Sequence, residues 1–190
     1  MCNEARKDLD ILAVGAHDLG VQAGGIADPL KGSDHVLLMR HAYAPGVGDP
    51  PGYVLGRCET QRVLNQEGKN QAARIGRWLR GQGVEKALVF TSLWCRCRET
   101  AELLNVGPVT IETSLASFFD ASHLASTQNA SLQAFISQTL KIKGEQPLIL
   151  VTHHVNILAF MGQNIGSGDM VLARVNPQGQ LLSYKLIQSP

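Results

Sequence analysis

The 190-residue chain predicts an α/β fold: a three-layer α/β/α sandwich around a mostly parallel central sheet with an antiparallel edge. Three observations carry this. Short, largely apolar runs at Val36–Met39, Lys86–Thr91 and Pro147–Thr152 read as strands buried on both faces, the pattern of a parallel sheet covered by helices. Amphipathic helical stretches alternate with them, giving the order β-loop-α-β-α-β-α-β-α-β-β. The last two strands, Met170–Val175 and Leu181–Ile187, flank Asn176-Pro177-Gln178-Gly179, a hairpin signal that supplies the antiparallel edge.

In chain order, residues 1–33 are weakly patterned. Ile11–Val14 is the main apolar run there, and Gly20, Gly24, Gly25 and Pro29 break what surrounds it. They predict a loosely structured N-terminal arm, with a single domain over residues 34–190. The arm lacks the basic start and the roughly 7–15 apolar residues of a secretory signal, so the expected location is the cytoplasm. The first strand ends in Arg40 and His41, and Ala44-Pro45-Gly46 turns the chain. Tyr43–Arg62 follows as a long loop rich in proline and glycine, of the kind that walls a binding site.

Asn65 is placed to cap a helix with Ala72, Ile75, Gly76 and Leu79 on its core face and Lys69, Arg74, Arg77 and Arg80 outside. Gly81 or Gly83 ends it. After the strand Lys86–Thr91, Thr91-Ser92 is expected to cap a helix whose apolar stripe is Trp94, Cys97, Ala101 and Leu104. Pro108–Glu112 is a further short strand. Ser126 or Thr127 is expected to cap a helix with Leu132, Phe135, Ile136 and Leu140 inside, stopped by Gly144. A short helix over Asn156–Met161, closed by Gly162, follows the last parallel strand.

Composition narrows the function classes. The net charge is +1, so no global field draws the protein to nucleic acid or an anionic membrane, and any anion site is local. No run of about 18 apolar residues marks a membrane span. The four cysteines, Cys2, Cys58, Cys95 and Cys97, match no zinc spacing. Free thiols in a reducing compartment are the first expectation for them. A bridge from Cys58 to Cys95 or Cys97 is the alternative for an exported protein.

The chemistry collects at strand ends. Arg40-His41, Arg96 in the first turn of a helix, and His153-His154 each follow the carboxyl end of a buried strand. Right-handed crossovers bring those ends to one edge, where open α/β sheets bind ligands. Two guanidinium groups and two imidazoles form a cationic pocket suited to a phosphoryl group, which arginine forks match bidentately. An imidazole can serve as the nucleophile and form a covalent intermediate, and His41, held by strand and turn, is the one expected to do so. Arg40, Arg96 and His153 would form the electrostatic clamp. No glycine-rich cradle and no aspartate cluster suggest a nucleotide or Mg²⁺, so neither cofactor nor metal is expected. Asp49, Tyr53, Arg57, Arg62 and His154 are the candidates to line the substrate pocket, whose ligand would be a small phosphorylated molecule or phosphate.

Four segments resemble the histidine phosphatase superfamily, with its phosphoglycerate mutase-like fold: R-H-A at Arg40–Ala42, L-N-Q-E-G-K-N-Q-A at Leu64–Ala72, T-S-L-W-C-R-C-R-E-T-A at Thr91–Ala101, and L-V-T-H at Leu150–His153. The resemblance spans about Val36 to Ile187. It implies a phosphorylated His41 with Arg40, Arg96 and His153 around the phosphate. It picks Arg96 over Arg98 by its distance from Thr100-Ala101, and His153 over His154 by the V-T-H pattern. The family's R-H-G is R-H-A here. Its L-x-E glutamate falls on Ser117, a poor general acid, which leaves Asp120, three residues on, or Asp49 in the long loop. The resemblance thus implies a metal-independent phosphomonoester hydrolase of the short phosphatase branch. At this length a mutase, with its added insertions, is less expected. The alternative is a degenerate member that binds a phosphorylated ligand or protein without turnover.

Overall fold

A computed structural model describes residues 25–190. Its central sheet has the order β3-β2-β4-β1-β5-β6. Strands β1 (His35–Arg40), β2 (Leu88–Thr91), β3 (Val109–Ile111) and β4 (Leu148–Thr152) run parallel, while β5 (Met170–Val175) and β6 (Leu181–Ile187) pair antiparallel at one edge. β4 lies between β1 and β2, which explains why all five of its residues are apolar or hydroxyl-bearing and fully enclosed.

Alternate strand residues feed two cores. Leu37, Met39, Ile149 and Val151 face α2 (Gln66–Gly81) and α3 (Cys95–Leu104), whereas Val36, Leu38, Leu148 and Leu150 face α4 (Ala125–Ile142) and α5 (His154–Met161). The three-layer sandwich expected from the sequence is the observed architecture. Of the arm expected over residues 1–33, residues 1–24 lie outside the described residues. The stretch that follows is not loose: Ile26, Ala27 and Leu30, in and beside α1 (Ala27–Lys31), pack into the α2/α3 core.

Helix α2 begins as expected, with Asn65 Oδ1 accepting the Gly68 N–H at 2.9 Å. The other two expected caps differ. Thr91 ends β2 and α3 starts at Cys95 without a side-chain cap of its own; the Cys95 N–H is instead satisfied by Gln61 Oε1 from the long loop, at 3.0 Å. Helix α4 starts before Ser126, because the 3-10 turn Ser122–Leu124 runs directly into it. Helix α5 starts at His154, earlier than Asn156, with His153 at its N-cap position.

The long loop is welded to α3. Cys58 and Cys95 form a disulfide, and Cys97 is a buried free thiol. Cys58 and Cys95 are therefore not the free thiols first expected. The ground for a reducing compartment goes with them, since such bridges persist in oxidising surroundings. Among the described residues no helix is long and apolar enough to cross a membrane.

Candidate active site

The carboxyl ends of β1, β2 and β4 share one edge, because Arg40 pairs with Thr152 and Thr91 with Val151 in the parallel ladder. His41 lies one residue past β1 and still bonds β4 through its N–H to the Thr152 carbonyl, at 2.9 Å. The Gly168 N–H is shared between the Arg40 and His41 carbonyls. The backbone that carries both side chains is thus fixed on two sides.

The turn after His41 is held by residues with no reactive group. The Ala42 N–H donates to Thr100 Oγ1 at 3.0 Å, and Thr100 donates to the Arg96 carbonyl at 2.6 Å. One hydroxyl therefore ties the R-H-A turn to the helix that carries Arg96. Gly68 explains the glycine of the α2 motif: a Cβ there would run into the Tyr43 carbonyl. Its absence lets the first turn of α2 close on the turn.

His41 is 1% exposed. Its Nδ1 lies 2.7 Å from the Ala42 carbonyl, which can only accept, so Nδ1 carries the proton and Nε2 keeps its lone pair. Burial, followed by the charges of Arg96, Arg40 and Arg62, holds its pKa well below the usual histidine value, against the Ala42 bond that raises it. The ring is neutral at neutral pH, the state a nucleophile needs. His153 stands edge-on to it with ring centroids 5.6 Å apart. Burial first, then His41 and Arg96, likewise push the His153 pKa well down. Its Nε2 meets Ser92 Oγ at 2.8 Å and the Cys97 sulfur at 3.4 Å. Ser92, expected as a helix cap, is thus a partner of His153. Burial pushes the Cys97 thiol up to about 12, so it is a packing group beside that ring.

Arg40 donates from Nη1 to the Ile165 carbonyl at 2.8 Å. Arg96 donates from Nη1 to both oxygens of Asp49, at 2.8 and 3.1 Å, in a pair whose side chains are 4% and 3% exposed. The Nε of each arginine is buried and without a partner among the described residues, although buried donors are ordinarily satisfied. Both arginines line one cavity of about 340 Å³, together with His41, His153, His154 and Arg62. An anion seated there would meet the charge of these guanidinium groups.

The two candidate acids are separated by their partners. Asp49 accepts from Arg96, from Trp94 Nε1 at 3.0 Å and from the Arg62 N–H at 2.9 Å. Both its oxygens are engaged as acceptors, which makes it a clamp on Arg96. Asp120 lines the same cavity, is exposed, and has no hydrogen bond or ion pair among the described residues. Ser117 also lines the cavity, where its Oγ accepts the Phe119 N–H at 3.2 Å.

Of the other expected pocket residues, Arg62 and His154 line the cavity. Arg62 spends Nε and Nη1 on the Gly48 and Ala44 carbonyls, at 2.8 and 2.6 Å. Tyr53 does not line the cavity and packs on Trp94, ring centroids 6.3 Å apart. Arg57 is exposed and pairs with Glu59. Both are corrections to the sequence expectation, and both arise because the loop folds onto itself and onto α3. The sequence reading missed Phe119, Val47, Asn164 and Ile165 in the cavity wall. None belongs to a patterned segment that would have signalled it. Among the described residues no group of three or more His, Cys, Asp or Glu is placed to hold a metal ion.

Residues 36–118 match the family described as histidine phosphatase superfamily (branch 1). No curated protein matches the chain in sequence. Among solved structures, a mycobacterial glucosyl-3-phosphoglycerate phosphatase in complex with VO3 is 13% identical, with 80% of this chain and 97% of that one covered and a TM-score of 0.57. The protein histidine phosphatase SixA in complex with tungstate is 16% identical, with 81% and 94% covered and a TM-score of 0.51. Bacillus stearothermophilus YhfR is 19% identical, with 78% and 94% covered and a TM-score of 0.56. At these identities the likeness is one of fold, the phosphoglycerate mutase-like arrangement. The segment from Val36 to Phe118 and the fold around it make the chain similar to the histidine phosphatase superfamily in motif and in architecture.

Proposed function

We propose that the protein hydrolyses a phosphomonoester through a phosphohistidine formed on His41 Nε2, without a metal. The observation that carries this is His41 itself: buried, neutral, pinned by Nδ1 to a carbonyl, and flanked by two arginines whose buried Nε donors have no partner among the described residues. The Nε2 lone pair attacks phosphorus in line with the departing oxygen. Arg40 and Arg96 balance the charge on the equatorial oxygens, with the neutral His153 ring packed beside them. Asp120, the cavity-lining carboxyl free of other bonds, protonates the leaving alcohol and then takes a proton from the water that cleaves the P–N bond. Some superfamily-fold neighbours have structures with vanadate or tungstate, ions that mimic the phosphoryl group, which supports a phosphoryl pocket here.

The test is hydrolysis of 4-nitrophenyl phosphate in EDTA by wild type, His41→Ala and Asp120→Asn. Turnover that survives EDTA is expected to vanish in His41→Ala and to fall about 10²-fold or more in Asp120→Asn. Wild type quenched in alkaline detergent should carry a phosphoryl group on His41 that is stable to base and lost in acid. The second reading, a binder without turnover, is favoured by one feature: Ser117 occupies the glutamate's place and Asp120 is solvent-exposed. It predicts no hydrolysis and no phosphohistidine, with vanadate binding retained.

A further inference from the structure

The cavity carries charge for one phosphoryl group and none beyond it. Its charged lining residues are Arg40, Arg62, Arg96, Asp49 and Asp120. Asp49 neutralises Arg96 at 2.8 Å, so the inner half presents the equivalent of two positive charges, those of Arg40 and Arg62. That matches a single phosphoryl dianion. Among the described residues, the cavity lining holds no lysine, and no arginine besides these three. Arg62 cannot swing out to serve the outer half without giving up the Gly48 and Ala44 carbonyls. His154, half-buried, is held below the ordinary histidine pKa by burial and by Arg40, so it is neutral at neutral pH. Asp120, a carboxyl group, offers no cation to a second anion.

The outer half has an apolar face instead. Phe119 is 43% exposed and Val47 is 87% exposed. Both line the cavity. The Phe119 ring stands edge-on to His154 at 5.7 Å and lies against Gly48, where a Cβ would sit 3.6 Å from its Cε1. An aromatic side chain kept partly in solvent at the mouth of a cavity is a surface for a ligand.

From these observations we infer that the substrate is a monophosphate of an uncharged alcohol with a ring or apolar face that packs on Phe119, and that a leaving group bearing a second anion is disfavoured. This rests on the phosphatase reading above. A second carboxylate or phosphate would be stripped of water in the outer half with no cation to receive it, and discrimination of this kind works by leaving the wrong ligand's charge unpaired.

The experiment compares two isosteric aryl substrates at pH 7.5, 4-carbamoylphenyl phosphate and 4-carboxyphenyl phosphate, with glycerol 2-phosphate as a neutral substrate without a ring. Wild type should favour the carbamoyl over the carboxyl compound by about tenfold or more in kcat/KM, as expected for one unpaired or repelled charge in a half-wet site. Phe119→Ala, at an exposed position where folding is not at stake, should lower kcat/KM for the carbamoyl compound about fivefold or more, an aromatic packing contribution. Its effect on glycerol 2-phosphate, which has no ring to pack on Phe119, should be smaller by at least about twofold. Equal rates on the two aryl substrates, or an equal loss on aryl and glyceryl substrates in Phe119→Ala, would overturn the inference while leaving the phosphatase reading intact. No hydrolysis of any of the three would overturn both.

Discussion

Asp49→Ala is the substitution that tests the site's construction most directly. The carboxylate is 3% exposed and holds Arg96, Trp94 Nε1 and the Arg62 N–H at once. Its removal leaves a guanidinium charge buried without its counter-ion, a loss of about 3–5 kcal/mol when one partner of a buried pair is deleted. Water can enter through the cavity that Asp49 lines, which argues for the lower end, about 3 kcal/mol. Asp49→Asn keeps an acceptor at Oδ1 for Arg96 and Arg62 but turns an N–H toward Trp94 Nε1, so it should lose about 1–3 kcal/mol. Urea unfolding at pH 7.5, with equal m values, measures both. A phosphate or vanadate ion can take the place of the missing charge beside Arg96. Adding either should therefore raise the midpoint of Asp49→Ala more than that of wild type. An alanine variant within about 0.5 kcal/mol of wild type, or equal stabilisation of both proteins by phosphate, would refute the clamp.

Two further outcomes follow from the same geometry. His41 and His153 are both held well below the ordinary value near 6.5 by burial, so the unfolded chain binds the protons that the fold excludes. Stability should then be flat above about pH 7 and fall as pH drops below about 6.5, by up to about 1.4 kcal/mol per pH unit for each ring. His154 adds in the same direction. Urea midpoints at pH 7.5, 6.5 and 5.5 check this, with His41→Asn expected to remove its share of the slope; no change over that range would contradict neutral buried rings. The Cys58–Cys95 bridge closes a loop with a sequence separation of 37, which chain entropy values at about 4 kcal/mol and measured bridges more often at about 2–4. Thiol titration of the denatured, unreduced protein should find two of the four cysteines, and reduction should lower the urea midpoint. Four titratable thiols would show that the bridge does not form.

The strands, and the cationic and imidazole groups at their ends, were legible because a buried strand announces itself locally, whereas the choice of Arg96 over Arg98 came from the family resemblance. An apolar run that stops at a polar residue gives both the element and the residue at its end, as at Arg40, His41 and His153. The companions of those residues were not legible, because each is defined by a contact across the fold. Ser92 follows a strand and precedes a helix, so local rules make it a cap, whereas its partner is His153, a sequence separation of 61 away. Asp49 and Asp120 look alike as loop carboxylates. Only the folded loop, drawn onto α3 by Cys58–Cys95 and Gln61, shows that one is consumed by Arg96 and the other is free. Arg40 depends on the Ile165 carbonyl, in a segment with no pattern at all.

The unreactive letters of the motifs carry an argument of their own. Thr100 receives the Ala42 N–H and returns a bond to the Arg96 carbonyl, and Gly68 admits the Tyr43 carbonyl against α2. Thr100 ties the His41 turn to the helix bearing Arg96, and Gly68 lets α2 close on the same turn. A phosphoryl pocket needs the separation of turn and helix held to a fraction of an ångström, because an arginine fork and an attacking nitrogen must meet the same phosphorus. The spacing of R-H-A, N-Q-E-G and R-C-R-E-T-A is therefore a distance constraint written in sequence. A threonine hydroxyl and a missing Cβ keep it in the fold.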